Sequence, residues 1–231
     1  MKRKIPCLCD RVFEVEVPEE INLDTDSVYL DEIKSGRFFN FPCPACGKNH
    51  KPEFPLLILW PSKNLRFKVI PEQERGGFYK RKKDAEQKGS DAAETIIGYP
   101  EMAERLSVIN DGFEPAPVEA IKYFLLLKAE EQYPDEEIEI WYFGFSKGAG
   151  SQGGGDSKGA DSEGAHSLGI ESFLEFHIHG IKENEVAVMK VPFSLYEKNL
   201  NDYRSNPKKE IFSLLKVKNY LSVKNTMRHE V

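Results

Sequence analysis

Four cysteines, Cys7, Cys9, Cys43 and Cys46, are the side chains whose type and spacing point most directly to chemistry in this sequence. They fall into two close pairs, Cys7-Leu8-Cys9 and Cys43-Pro44-Ala45-Cys46, separated by Asp10 to Pro42. Zinc takes four soft or borderline ligands in a tetrahedron, and two tight turns can supply them. The Cys43 turn suits this: two intervening residues let both sulfurs face inward, and Gly47 can adopt left-handed backbone that frees amides to bond them. The Cys7 turn is tighter, and Asp10 stands where such a turn prefers glycine, although Asp tolerates that backbone better than most residues. Four thiolates saturate the metal and leave no position for water, so the spacing points to structural rather than catalytic zinc. His50 in place of Cys7 or Cys9 stays open as a ligand. A redox Cys-x-x-Cys usually opens a helix, whereas Cys46 runs into Gly47-Lys48-Asn49-His50-Lys51-Pro52, which starts one poorly.

Composition narrows the compartment and the partners. Charged residues make up 30% and hydrophobic residues 40% of 231, an ordinary globular balance with enough chain for a sizeable core. Lys and Arg number 32 against 38 Asp and Glu, a net charge of -6, so the chain as a whole does not attract phosphate backbones. No apolar run reaches the roughly 20 residues that span a bilayer. The basic opening, Met1 to Lys4, resembles the start of a signal peptide, but charges from Asp10 onward leave no apolar stretch behind it. The expectation is a cytoplasmic protein, where thiols stay reduced and paired cysteines suggest metal before disulfide.

The elements that must position the cysteines follow from periodicity. Phe13, Val15 and Val17 alternate with Glu14 and Glu16, the pattern of a half-buried strand. Residues 24–36 read as a short helix, capped by Asp24 or Asp26 and ended by Gly36. Strands are expected at Phe38–Phe41, Leu56–Trp60 and Leu65–Ile70, with a turn at Pro61-Ser62-Lys63-Asn64. Residues 75–98 read as a polar surface loop or linker. Helices are expected at Pro100–Val108 and Pro117–Gln132, the second apolar most of the way round at Tyr123 to Leu127 and therefore buried. Strands at Ile138–Phe145, Phe173–His179 and Val186–Val191, a helix at Phe193–Tyr203 and a short strand with a helix after Ile211 complete the chain. The Gly/Ser-rich stretch at 146–169 lacks the apolar surface to order itself and reads as a flexible loop.

The first block resembles the bacterial CpXC-domain family. The resemblance rests on Cys7 to Val17, with Phe13-Glu14-Val15-Glu16-Val17 after the first pair, on Phe41 to Lys48, and on Phe54-Pro55-Leu56-Leu57. It covers residues 1 to about 72 and extends loosely through Pro100 to Phe145. In this sequence Pro6 stands where the family pattern places its first cysteine. The family groups metal-binding proteins without an established activity, so the resemblance implies a cysteine-bound metal and supplies no reaction.

Other signals are weaker. Gly148-Ala149-Gly150-Ser151-Gln152-Gly153 fits a dinucleotide fingerprint, but no helical period follows it, and it reads as linker. His177 and His179 lie two apart on one strand, opposite Leu174, Phe176 and Ile178, and read as solvent-face residues that two-coordinate a metal at most. His166 and His229 read as incidental. Arg75, Lys80, Arg81, Lys82, Lys83 and Lys88 form a basic run diluted by Asp84 and Glu86, read as a solvated loop before a nucleic-acid contact. No nucleophile elbow holds a Ser/His/Asp triad.

The combined expectation is an α+β protein. Residues 1–74 form zinc-ribbon-like β hairpins with a short inserted helix, and 75–98 form the loop. Residues 99–231 form a mixed second half of antiparallel strands and packed helices. It is expected to be a non-enzymatic structural-zinc protein acting as a protein-binding module, off the membrane and of open oligomeric state. The alternative is a nucleic-acid accessory protein using the ribbon and the Arg75–Lys88 loop.

Overall fold

The computed structural model describes residues 1–80, 93–147 and 172–230. β1 (Lys2–Pro6) and β2 (Val12–Glu16) make an antiparallel hairpin, as the alternation at Phe13 to Glu16 requires. β3 (Glu20–Asn22) leads into α1 (Val28–Lys34), and β4 (Phe41–Pro42) pairs with β5 (Asn49–His50). β6 (Leu56–Trp60) and β7 (Leu65–Ile70) flank a turn closed by Asn64 in left-handed backbone, φ 54°. Next come α2 (Arg75–Lys80), β8 (Glu94–Ile97), α3 (Tyr99–Asn110) and α4 (Pro115–Gln132). β9 (Glu139–Ser146), β10 (Phe173–His179) and β11 (Ala187–Pro192) form an antiparallel sheet with β10 in the middle. α5 (Phe193–Ser205), α6 (Glu210–Leu214), β12 (Lys216–Val217) and β13 (Tyr220–Leu221) follow.

The architecture is α+β. Its largest sheet has six strands in the order β12-β13-β8-β7-β6-β3, mixing parallel and antiparallel pairs. That sheet joins both ends of the chain, because Tyr220 of β13 registers with Thr95 of β8. One core packs its strands and α1 against Met102, Leu106 and Ile109 of α3. A second core lies between α4, α5, α6 and the three-stranded sheet, around Ile121, Leu174, Phe176 and Leu215. α3 therefore faces both cores.

Three local expectations change. Phe38 and Phe39 are not in a strand; pairing there is limited to Phe41 and Pro42. A strand sends neighbours to opposite faces. Here both rings enter the core, stacked at 3.9 Å, because Phe39 turns at φ 49°. Residues 75–98 carry structure at both ends. α2 buries Phe78, and Thr95, Ile96 and Ile97 make a strand buried between parallel neighbours, where apolar runs replace alternation. On α4, Phe124 and Leu127 are each 45% exposed, while Ile121, Leu126 and Ala129 face the core. The Gly148–Gly153 motif and most of 146–169 lie outside the described residues, as do Arg81, Lys82, Lys83, Lys88 and His166. Among the described residues no helix is long and apolar enough to cross a membrane.

Candidate metal centre

Each cysteine pair sits in the turn of a small hairpin, and the two turns are built alike. In the loop between β4 and β5, the Cys43 N–H donates to Lys48 O at 2.9 Å and the Gly47 N–H donates to Cys43 O at 2.9 Å. In the loop between β1 and β2, the Cys7 N–H donates to Arg11 O at 2.9 Å and the Asp10 N–H donates to Cys7 O at 3.0 Å. The second loop repeats the pattern with one residue fewer, which is the residue that separates C-x-C from C-x-x-C. Gly47 and Asp10 occupy the same position after the second cysteine, and both take left-handed backbone, at φ 72° and 64°. Asp10 thus does the work expected of a glycine there.

The four thiols converge from the two hairpins. Cys7 Sγ lies 3.5 Å from Cys46 Sγ, and Cys9 Sγ lies 3.7 Å from Cys43 Sγ. All four sulfurs fall within 4.8 Å of one another. A tetrahedron with metal–sulfur bonds of about 2.3 Å has edges of about 3.8 Å, so the spacing fits a single ion enclosed by four thiolates. The first cysteine of each turn is buried and the second exposed. The Ala45 and Cys46 amides draw the Cys43 thiol down to about 7. At Cys7 the Cys9 amide also pulls downward, but burial and the neighbouring thiols of Cys46, Cys9 and Cys43 push it up to about 12.

His50 stands outside this group. Its ring meets Phe13 edge-on at 5.7 Å, and its Nε2 is buried without a hydrogen-bond partner. His177 stacks on Phe143 at 3.9 Å and approaches Glu175 at 3.5 Å, while His179 is exposed. Among the described residues these side chains do not gather into a set of three or more metal ligands. Arg75 is held inside the molecule, bonded to Glu72, Glu101, Tyr220 and Ile97 O, so it is no free surface cation.

A second cluster of ionisable side chains escaped the sequence reading. Lys122 donates to Glu104 at 2.6 Å and to Glu119 at 3.2 Å, all three buried. Arg105 bonds Glu94 and Leu221 O, and Glu101 accepts from Arg75 and Tyr220. Glu119 and Lys122, three apart in the otherwise apolar stretch from Ala116 to Leu127, are the signal that could have revealed it. A cavity of about 40 Å³ beside Lys122, Trp141 and Lys224 has room for a water molecule or two, not a metabolite.

Fold and site together define an α+β protein with a four-cysteine cluster formed by two amino-terminal hairpins. The chain belongs to the CpXC family: the CpXC protein family matches residues 5–122, just over half its length. It is also 27% identical over 234 residues to an uncharacterized protein of Treponema pallidum (strain Nichols), covering 96% of this chain and 97% of that one. No solved structure gives a significant match.

Proposed function

We propose that this is a cytoplasmic, non-enzymatic binding module whose amino-terminal block is shaped by one structural zinc ion. Cys7, Cys9, Cys43 and Cys46 are its ligands, and a protein is its partner. The observation that carries the reading is the convergence of four sulfurs from two hairpins at tetrahedral-edge spacing. Four thiolates leave no open coordination position, so zinc held there supplies folding free energy rather than Lewis acidity. The hairpins support this assignment, because β1–β2 and β4–β5 are two-stranded sheets that isolated hairpins rarely sustain in water. Each needs an external tie, and a shared ion is one.

Elemental analysis of purified protein tests the reading. The expected result is about one zinc per chain, lost in Cys43→Ser, with a chelator lowering the thermal midpoint of the wild-type protein. Metal-free protein with an unchanged midpoint in chelator would overturn it.

A further inference from the structure

The two edges of the three-stranded sheet are treated differently. On β9, the outward Tyr142 N–H is taken up by Glu104 Oε1 at 2.6 Å, so α3 closes that edge with a buried carboxylate. β11 has no such cover among the described residues. Its Ala187, Val188, Met189 and Lys190 are exposed on both faces of the sheet. The change across one ladder step is abrupt. Phe176 of β10 is 0% exposed, and its register partner Met189 is 43% exposed. On the outer face Val188 is 54% exposed beside His177, with Phe143 at 63% stacked on that ring. Of the usual devices that blunt an edge strand, β11 carries a single lysine, Lys190, and a proline at its end, and the β10–β11 register runs without a bulge.

We propose that β11 is a self-association surface, and that its occupant is β11 of a second copy of this chain, paired antiparallel about a two-fold axis at Val188. The sequence of the strand is self-complementary in that register. Val188 meets Val188 of the partner copy, Ala187 lies opposite Met189 (small against large), and Val186 lies opposite the aliphatic stem of Lys190. The two Lys190 ammoniums fall at opposite ends of the pairing, and each faces Glu175 across its own β10–β11 ladder. Pairings centred on Lys190 would instead set like charges against each other, which is unfavourable. The contact is isologous and closes on itself, giving a six-stranded sheet across the dimer instead of a fibre.

Light scattering after size exclusion, run on the full chain over a range of concentrations, tests this. The expected mass is twice the 26.4 kDa of one chain. Val188→Lys, which opposes two ammoniums on the axis, is expected to give single chains with unchanged circular dichroism. Val188→Cys provides an independent arm under mild oxidant, read by peptide mass spectrometry. Position 188 is expected to crosslink to itself, and a Lys190→Cys control is not. Wild-type protein of single-chain mass throughout, a dimer that survives Val188→Lys, or crosslinking at 190 in preference to 188 would overturn the proposal.

Discussion

The Lys122 ammonium, on α4, lies 2.6 Å from the Glu104 carboxylate on α3, and both side chains are buried. Glu104 also accepts the Tyr142 N–H, and Glu119 accepts the Val223 N–H at 2.7 Å. This cluster therefore ties α3 and α4 to β9 and to the carboxy-terminal segment. Removing the cation leaves two buried carboxylates facing each other. Lys122→Met is expected to destabilise the protein by about 3–5 kcal/mol, measured by urea unfolding. Glu104→Gln, which keeps an oxygen for Tyr142, is expected to cost about 1 kcal/mol or less.

The same carboxyl gives the protein a pH dependence of defined sign. Burial pushes Glu104 up to about 7, with Lys122 opposing and neighbouring Glu119 reinforcing the rise. The folded state then binds this proton more tightly than the unfolded state does. The contribution is complete below the ordinary carboxyl range and is lost as pH rises through about 7. Urea midpoints taken between about pH 5 and about pH 8 should show that loss in the wild type, and Glu104→Gln should flatten it.

Gly180, in the turn between β10 and β11, has φ 93°, and an added Cβ would lie 2.0 Å from Glu137 O. Gly36 has φ 68° with nothing within 4 Å of such a Cβ. Gly36→Ala therefore meets only the left-handed penalty of about 1–2 kcal/mol. Gly180→Ala meets that and a backbone collision, and its thermal midpoint should fall further.

The outer face of α4 can be tested directly. Phe124→Ser and Leu127→Ser should each change stability by about 0.5 kcal/mol or less, because both side chains are half in water. Leu126→Ala, at a position 3% exposed between them, should cost about 2–5 kcal/mol.

The sequence carried the cysteine cluster well because its information is local. Cys43 to Gly47 fixes one turn, and Asp10 shows its left-handed tolerance in the other. Strands such as β6, β7 and β10 were legible for the same reason. What stayed hidden depended on distant partners. The apolar Tyr123 to Leu127 run reads as buried all round, yet α4 is buried on every side only over Ala116 to Lys122, and beyond that Phe124 and Leu127 face water. Thr95 to Ile97 is too short to stand out until β7 and β13 flank it. Arg75 reads as the first of a basic run until Glu101 and Tyr220, 26 and 145 residues away, close around it. Consecutive Phe38 and Phe39 mimic a strand, but a turn is what lets both into one core.

Zinc K-edge X-ray absorption on the purified protein probes the enclosure of one ion by four thiolates most directly. The account predicts a single shell of four sulfurs at about 2.3 Å. A nitrogen or oxygen scatterer in that shell, such as His50 replacing a thiolate, or protein that carries no zinc at all, would contradict it.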